Sequence, residues 1–261
     1  MERLAPGESP ELRQGTESKP MGNEIMAVVN AVRAIPDFDA AIRLQEYQYA
    51  SLGHCVLDSI FSIGVRYEGV RGVLHRYCQR YQLREFHDGL GPPPVADQLP
   101  LSGLVDQISE LGPERFATEI VQNRQRTSSR SGILKAEASL LFAETLIRNG
   151  VETFQDAMEH IADQDLDREL RGVPGQASGI SIRYFFMLAG SPDLIKPDRM
   201  IIRFLKGVLG RDVSPEAAVR LLAGVVIQLR TAGLSVDARN IDSAIWQYQR
   251  AIVASSARAA V

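Results

Sequence analysis

The chain has 261 residues, 45% of them hydrophobic and 23% charged, with a net charge of −3. That is long enough for one large domain or two modest lobes with a real core. No apolar run approaches the roughly 18–20 residues a bilayer span needs. Two cysteines, Cys55 and Cys78, exclude a disulfide framework and a four-cysteine metal site.

Residues 1–22 are rich in Pro, Gly, Glu and Ser and are expected to be a disordered tail. They lack the basic-then-apolar order of a secretory signal, which points to a cytoplasmic protein. From there helical apolar spacing runs nearly to the end. "EIMAVVNAVRAI", "PDFDAAIRLQEYQYASL", "CVLDSIFSIGV" and "VRGVLHRYCQRYQL" predict the first helices. "GLGPPPVADQLP", 89–100, is a break too rich in proline for a helix. "LSGLVDQISEL" restarts a helix with Ser102 as its cap, and "GPERFATEIVQN" begins one with proline just inside. "SGILKAEASLLFAETLIRNG" predicts a long amphipathic helix ended by Gly150. "VETFQDAMEHI", "DLDRELRGV", "QASGISIRYFFMLAG", "KPDRMIIRFLKGVLG", "SPEAAVRLLAGVVIQLRTAG" and "SVDARNIDSAIWQYQRAIVAS" complete the set. No alternating strand pattern persists. The expected class is all-α, in two helical lobes with a cleft between them: residues 23–55 plus 187–261 in one, 56–186 in the other.

Two segments concentrate positive charge. Residues 122–135 carry Arg124, Arg126, Arg130 and Lys135 without an acid, and residues 196–211 carry Lys196, Arg199, Arg203, Lys206 and Arg211 against Asp198 alone. Each reads as a solvated basic face or as part of an anion-binding surface.

The stretch "LRGVPGQASG", Leu170–Gly179, reads as a helical hairpin. Val173 is its apolar anchor, and Pro174 and Gly175 are expected to open the second helix. It is either an ordinary turn between helices or a grip in which free N–H groups at a helix start meet a phosphate. Asp198 follows Pro197 near another helix start, where it is either an N-cap or a working carboxylate.

Together these pieces resemble the helix-hairpin-helix (HhH-GPD) DNA glycosylase superfamily, similar to enzymes of the endonuclease III and 3-methyladenine glycosylase type. The family hairpin reads L-P-G-V-G-x-K-T-A, and here Leu170 to Ser178 stand in its place. The family loop ends in V-D-x-x-x-x-R, and here it is Pro197-Asp198 through Arg203. "DSIFSIGV" looks like the early family helix, with Ser62 on the family serine and Gly64 where many members have a glutamine. "GILKAEASLLFAETL" is similar to the family's N-x-KA-x-x-I helix.

The resemblance implies a DNA glycosylase that flips a damaged or modified base out of double-stranded DNA and hydrolyses its N-glycosidic bond. Asp198 would stabilise the positive charge on the sugar and orient water. Gln176 falls on the family's lysine nucleophile; an amide cannot form a Schiff base, which implies a monofunctional enzyme without lyase activity. The DNA contacts implied are Gly172, Val173, Gly175, Gln176, Ala177, Arg66, Arg124, Arg126, Arg130, Lys135, Lys196 and Arg199, with Lys196 expected to touch phosphate or solvent. Tyr47, Tyr49, His54, Asp58, Tyr67 and Trp246 are candidates for the base pocket or for core packing. Asp58 interrupts an apolar run, so it is either a hydrogen-bonded core residue or faces a cavity. With no cysteine after Cys78, the family's iron–sulfur cluster is not expected. No catalytic metal is expected. Hairpins of this family bind a monovalent cation through carbonyls, which would place one near Leu170 and Val173. The expected partner is DNA, with no membrane, and the chain is expected to be a monomer. Repair and defence against modified viral DNA both remain open, as does the identity of the base. The alternative is a catalytically inactive DNA-binding protein on the same scaffold, or an unrelated all-α interaction protein.

Overall fold

The computed structural model describes residues 21–41, 48–65, 67–88 and 91–259. The tail expected over residues 1–22 lies outside them except for its last two residues, which already belong to the first helix. Helices dominate, and the fold is all-α.

The first helix, α1 (Met21–Arg33), buries Val28, Val29 and Val32 and carries Glu24 in its first turn and Arg33 in its last, as the helix dipole favours. The short α2 (Phe38–Ala41) follows. Helix continuing past it was expected, but Gln48–Tyr49 is a strand (β1) paired antiparallel with Phe86–His87 (β2). Tyr49 stacks on Phe86 at 5.3 Å, the kind of cross-strand aromatic pair that favours extended backbone over helix. Between the strands lie α3 (Leu52–Phe61) and α4 (Tyr67–Tyr81). Among its described residues, the proline-rich break contains a single 3-10 turn, Val95–Asp97.

The α5 helix (Leu101–Leu111) is capped by Pro100, not by Ser102. Ser102 sits one residue inside, and its N–H donates to the Glu152 carboxylate at 2.9 Å, so an acid distant in sequence serves this helix start. Gly112 turns with φ +78° into α6 (Pro113–Arg115), which continues as a π-helical turn over Phe116–Ile120. Next come α7 (Lys135–Arg148), α8 (Phe154–Glu159) with a Thr153–Asp156 capping box, and α9 (Gln164–Gly172) capped by Asp163. They are followed by α10 (Ile180–Leu188), α11 (Arg199–Leu209), α12 (Pro215–Thr231) capped by Ser214, and α13 (Ala238–Ala259).

The described residues form two apolar cores. The larger draws on Tyr49 through Ala189 and surrounds α3, every residue of which is buried against α4, α5, α7 and α10. The smaller joins α1 to α11, α12 and α13 and includes Ile195. The chain passes from one to the other between Leu194, packed on the larger core, and Ile195, buried in the smaller. Lys196 and Asp198 come immediately after that crossing.

Candidate active site at the junction of the cores

Asp58 projects from α3 and is 1% exposed. Its Oδ2 accepts hydrogen bonds from the Tyr49 hydroxyl at 2.8 Å and the Tyr184 hydroxyl at 3.2 Å. Its Oδ1 is buried and has no hydrogen-bond donor among the described residues. Burial pushes the Asp58 carboxyl above the usual range, while the Lys196 charge and the two hydroxyls pull it back.

Lys196 was expected at phosphate or solvent, but it is buried. Ile195 and Pro197 on either side are buried too, and they carry it inward. Its ammonium donates to the Ser62 hydroxyl at 3.0 Å and lies 3.4 Å from the centre of the Tyr184 ring. Burial lowers its pKa, opposed by the charges of Asp58, Asp198 and Asp242. Its backbone N–H donates to Asp242 at 3.1 Å.

Lys135 was likewise expected on a DNA-facing surface. It is 3% exposed, and its three ammonium hydrogens meet the Phe61 carbonyl (3.0 Å), the Ile63 carbonyl (2.7 Å) and the Gln125 amide oxygen (3.2 Å). It thereby serves carbonyls at the C-terminal end of α3 and leaves no donor for a phosphate. Burial and the Lys196 charge bring its pKa down to about 8.

Asp198 caps α11. Its Oδ1 accepts from the amides of Met200 (2.7 Å) and Ile201 (3.2 Å), and the residue is half-buried. The capping role is therefore filled, and Oδ2 takes no part in it. Next to it the exposed Arg199 donates to the Val65 carbonyl at 3.1 Å.

In the hairpin α9 ends at Gly172 and α10 begins only at Ile180, so Pro174 and Gly175 do not open the second helix. Two successive turns fill the gap: the Gln176 N–H donates to the Val173 carbonyl and the Gly179 N–H to the Gln176 carbonyl, both at 2.9 Å. Gly175 has φ +90°, and a Cβ there would overlap the Thr127 side chain, so the basic loop lies directly against the hairpin. Val173 is buried as an anchor. Gln176 is 2% exposed; it accepts from the Ser181 hydroxyl and is folded into the loop rather than displayed. Gly172, Gly175 and Ala177 are exposed. The Leu170 and Val173 carbonyls, expected near a cation, each accept a hydrogen bond within the turn. No group of His, Cys, Asp and Glu among the described residues is arranged to hold a metal.

Arg124, Arg126 and Arg130 are exposed; Arg124 pairs with Glu114 at 3.3 Å and Arg126 donates to the Gly132 carbonyl. Tyr47 and Arg66 lie outside the described residues, and Tyr67 is placed only as the first residue of α4. His54 is enclosed in the larger core. Its ring nitrogens lie 3.3 Å from Ser51 Oγ and 3.3 Å from Cys78 Sγ, with the Tyr49 and Tyr77 rings around it. Burial lowers its pKa to about 4, and the imidazole is neutral. Trp246, half-buried on α13, lies under the Arg250 guanidinium. Cys55 and Cys78 are buried, and burial raises both thiols. Tyr184 was missed as a site residue, because in "IRYFFML" it reads as one more core aromatic. No described helix is long and apolar enough to cross a membrane.

Residues 26–250 match a family described as "Domain of unknown function (DUF8548)". No curated protein and no solved structure matches the chain.

Proposed function

The chain belongs to the DUF8548 family, and we propose that it is a monofunctional DNA glycosylase acting on a damaged or modified base. One observation supports this reading most. Three of the four segments that resemble the glycosylase set, far apart in sequence, meet at the turn after α3, and the fourth, Leu170–Gly179, packs on the basic loop beside them. Lys135 binds the Phe61 and Ile63 carbonyls, Lys196 binds Ser62, Arg199 binds Val65, and the 124–130 loop packs on the hairpin through Thr127.

A nucleotide turned out of the duplex would enter at this junction. The exposed hairpin glycines and Arg124, Arg126, Arg130 and Arg199 would hold the backbone without reading sequence. As the glycosidic bond breaks, positive charge builds on the sugar. Asp198, with Oδ1 fixed by two helix amides, offers its other oxygen to that charge and to the attacking water. Gln176 supplies no amine, so the strand is left intact.

Duplexes carrying alkylated, deaminated, oxidised or hypermodified bases are incubated with the chain, and released bases are identified by mass spectrometry. Base release without a borohydride-trapped adduct is expected; an adduct would refute the monofunctional assignment. The inward-folded Gln176 favours a second reading, a DNA-binding protein without catalysis. Under it, the chain binds modified or abasic duplex tightly and releases nothing.

A further inference from the structure

The segment leading into α5 reads Gly-Pro-Pro-Pro-Val-Ala-Asp from Gly91 to Asp97. A proline ring locks φ at about −65°, and a residue that precedes proline is held in extended or polyproline II backbone. Pro92 and Pro93 meet both conditions, and Pro94 has φ −54° and ψ 145°. The three prolines therefore make one turn of polyproline II helix, which repeats every three residues and so has three sides. One side faces inward. Pro93 is buried, and its carbonyl accepts from the side-chain amides of Gln98 at 2.7 Å and Gln155 at 3.0 Å. The Gln98 amide is itself fixed: it donates to the Gln155 amide oxygen at 2.8 Å and accepts from the Phe154 N–H at 3.0 Å. The other two sides face solvent. Pro94 is exposed on one; Pro92 and Val95, three residues apart, are exposed on the other. Val95 is 56% exposed, so core packing does not account for a valine there. The 3-10 turn Val95–Asp97 ends the ridge and leaves Asp97 exposed at that end.

We infer that this segment is a docking element for a partner protein whose groove is lined by aromatic side chains and carries a basic residue at one end. The ridges of a polyproline II helix fit between aromatic rings, and a helix that is already formed gives up little chain entropy on docking. Pro92 and Val95 supply one ridge and Pro94 the other. Asp97, at the C-terminal end of the ridge, is the charge that the basic residue complements. The Gln98 and Gln155 amides tie the inward side to the start of α8, so the two outward ridges are presented in a fixed shape. None of these residues lies at the junction of the two cores, so the docking role stands apart from base excision.

Binding of the full chain is measured by calorimetry against a panel of purified SH3, WW and EVH1 domains, whose grooves are of this kind. A Kd below about 1 mM is expected for at least one domain with a basic residue beside its aromatic groove. Pro92→Ala combined with Pro94→Ala, and separately Val95→Asp, should weaken that binding about tenfold or more, as loss of an anchor does. Val95→Asp carries the test if the proline variant alters the fold, since its side chain faces solvent. Asp97→Asn should weaken binding about two- to fivefold, an effect that fades at high salt. Duplex binding by Val95→Asp should equal that of the wild type. No binding by any domain of the panel below about 1 mM, or binding that both ridge variants leave unchanged, overturns the docking role. Binding that Asp97→Asn leaves unchanged overturns the basic end of the groove. Weakened duplex binding by Val95→Asp, with no domain bound, places the segment on a DNA-facing surface and overturns the protein partner.

Discussion

His54 and Asp58 stand one turn apart on α3, equally buried, and meet burial in opposite ways. His54 is neutral, both ring nitrogens face partners, and aromatic rings enclose it. Asp58 has one oxygen that accepts hydrogen bonds from two tyrosine hydroxyls, the other without a donor among the described residues, and a buried lysine nearby. Packing alone accounts for the histidine. It does not account for the aspartate, since a buried acceptor left bare costs on the order of 1–3 kcal/mol. Burial of a polar residue is therefore a weak signal of function here. Burial with an unmet hydrogen bond beside a second buried charge is the stronger one.

The largest effect on the fold is expected at the charged side. Lys196→Met leaves Asp58 without its compensating charge and should cost about 3–5 kcal/mol, read by denaturant unfolding. Adding Asp58→Asn should restore most of that loss. If the double variant is as unstable as the sum of the singles, the two charges are not coupled and the contrast with His54 fails.

The neutral side gives a smaller effect, with a definite sign. The folded His54 pKa of about 4 lies below the ordinary 6.5, so the unfolded chain takes up the proton first. The stabilising contribution is complete above pH 6.5. It is lost as pH falls toward 4, a change of about 3 kcal/mol. Asp58 acts the other way: its raised pKa adds stability as pH falls. Unfolding free energies between pH 4 and 7 should therefore flatten in His54→Gln and steepen in Asp58→Asn.

The smallest effect on stability belongs to the exposed arginines. Replacing Arg124, Arg126 and Arg130 with Gln should change stability by less than about 0.5 kcal/mol. The salt dependence of duplex binding should nevertheless become shallower, by about one unit of slope for each phosphate deprived of its arginine. An unchanged slope would remove this loop from the DNA-facing surface.

Much of the helical fold was legible because apolar spacing, capping residues and glycine stops agree. Gly150 follows α7 with φ +79°, and Asp198 caps α11. The strand at Gln48–Tyr49 was not, since its pairing with Phe86–His87 spans the whole of α3 and α4. Lys135 and Lys196 read by charge as surface residues. The chain buries them because each amine finds acceptors remote in sequence, in the turn after α3. Apolar neighbours, Leu134 before the one and Ile195 before the other, were the available hint. The break between α9 and α10 was legible too, but the second helix starts at Ile180, later than expected, and Gln176 in the break is folded inward.

Base release by Asp198→Asn, set beside the wild-type chain on the same panel of modified duplexes, tests the account most directly. Asparagine caps a helix as well as aspartate does, so the fold should be unchanged while the charge is gone. A free base is expected from the wild type, with a loss of about 1,000-fold in the variant at unaltered thermal stability. Undiminished release by the variant, or no release by the wild type from any duplex, would contradict it.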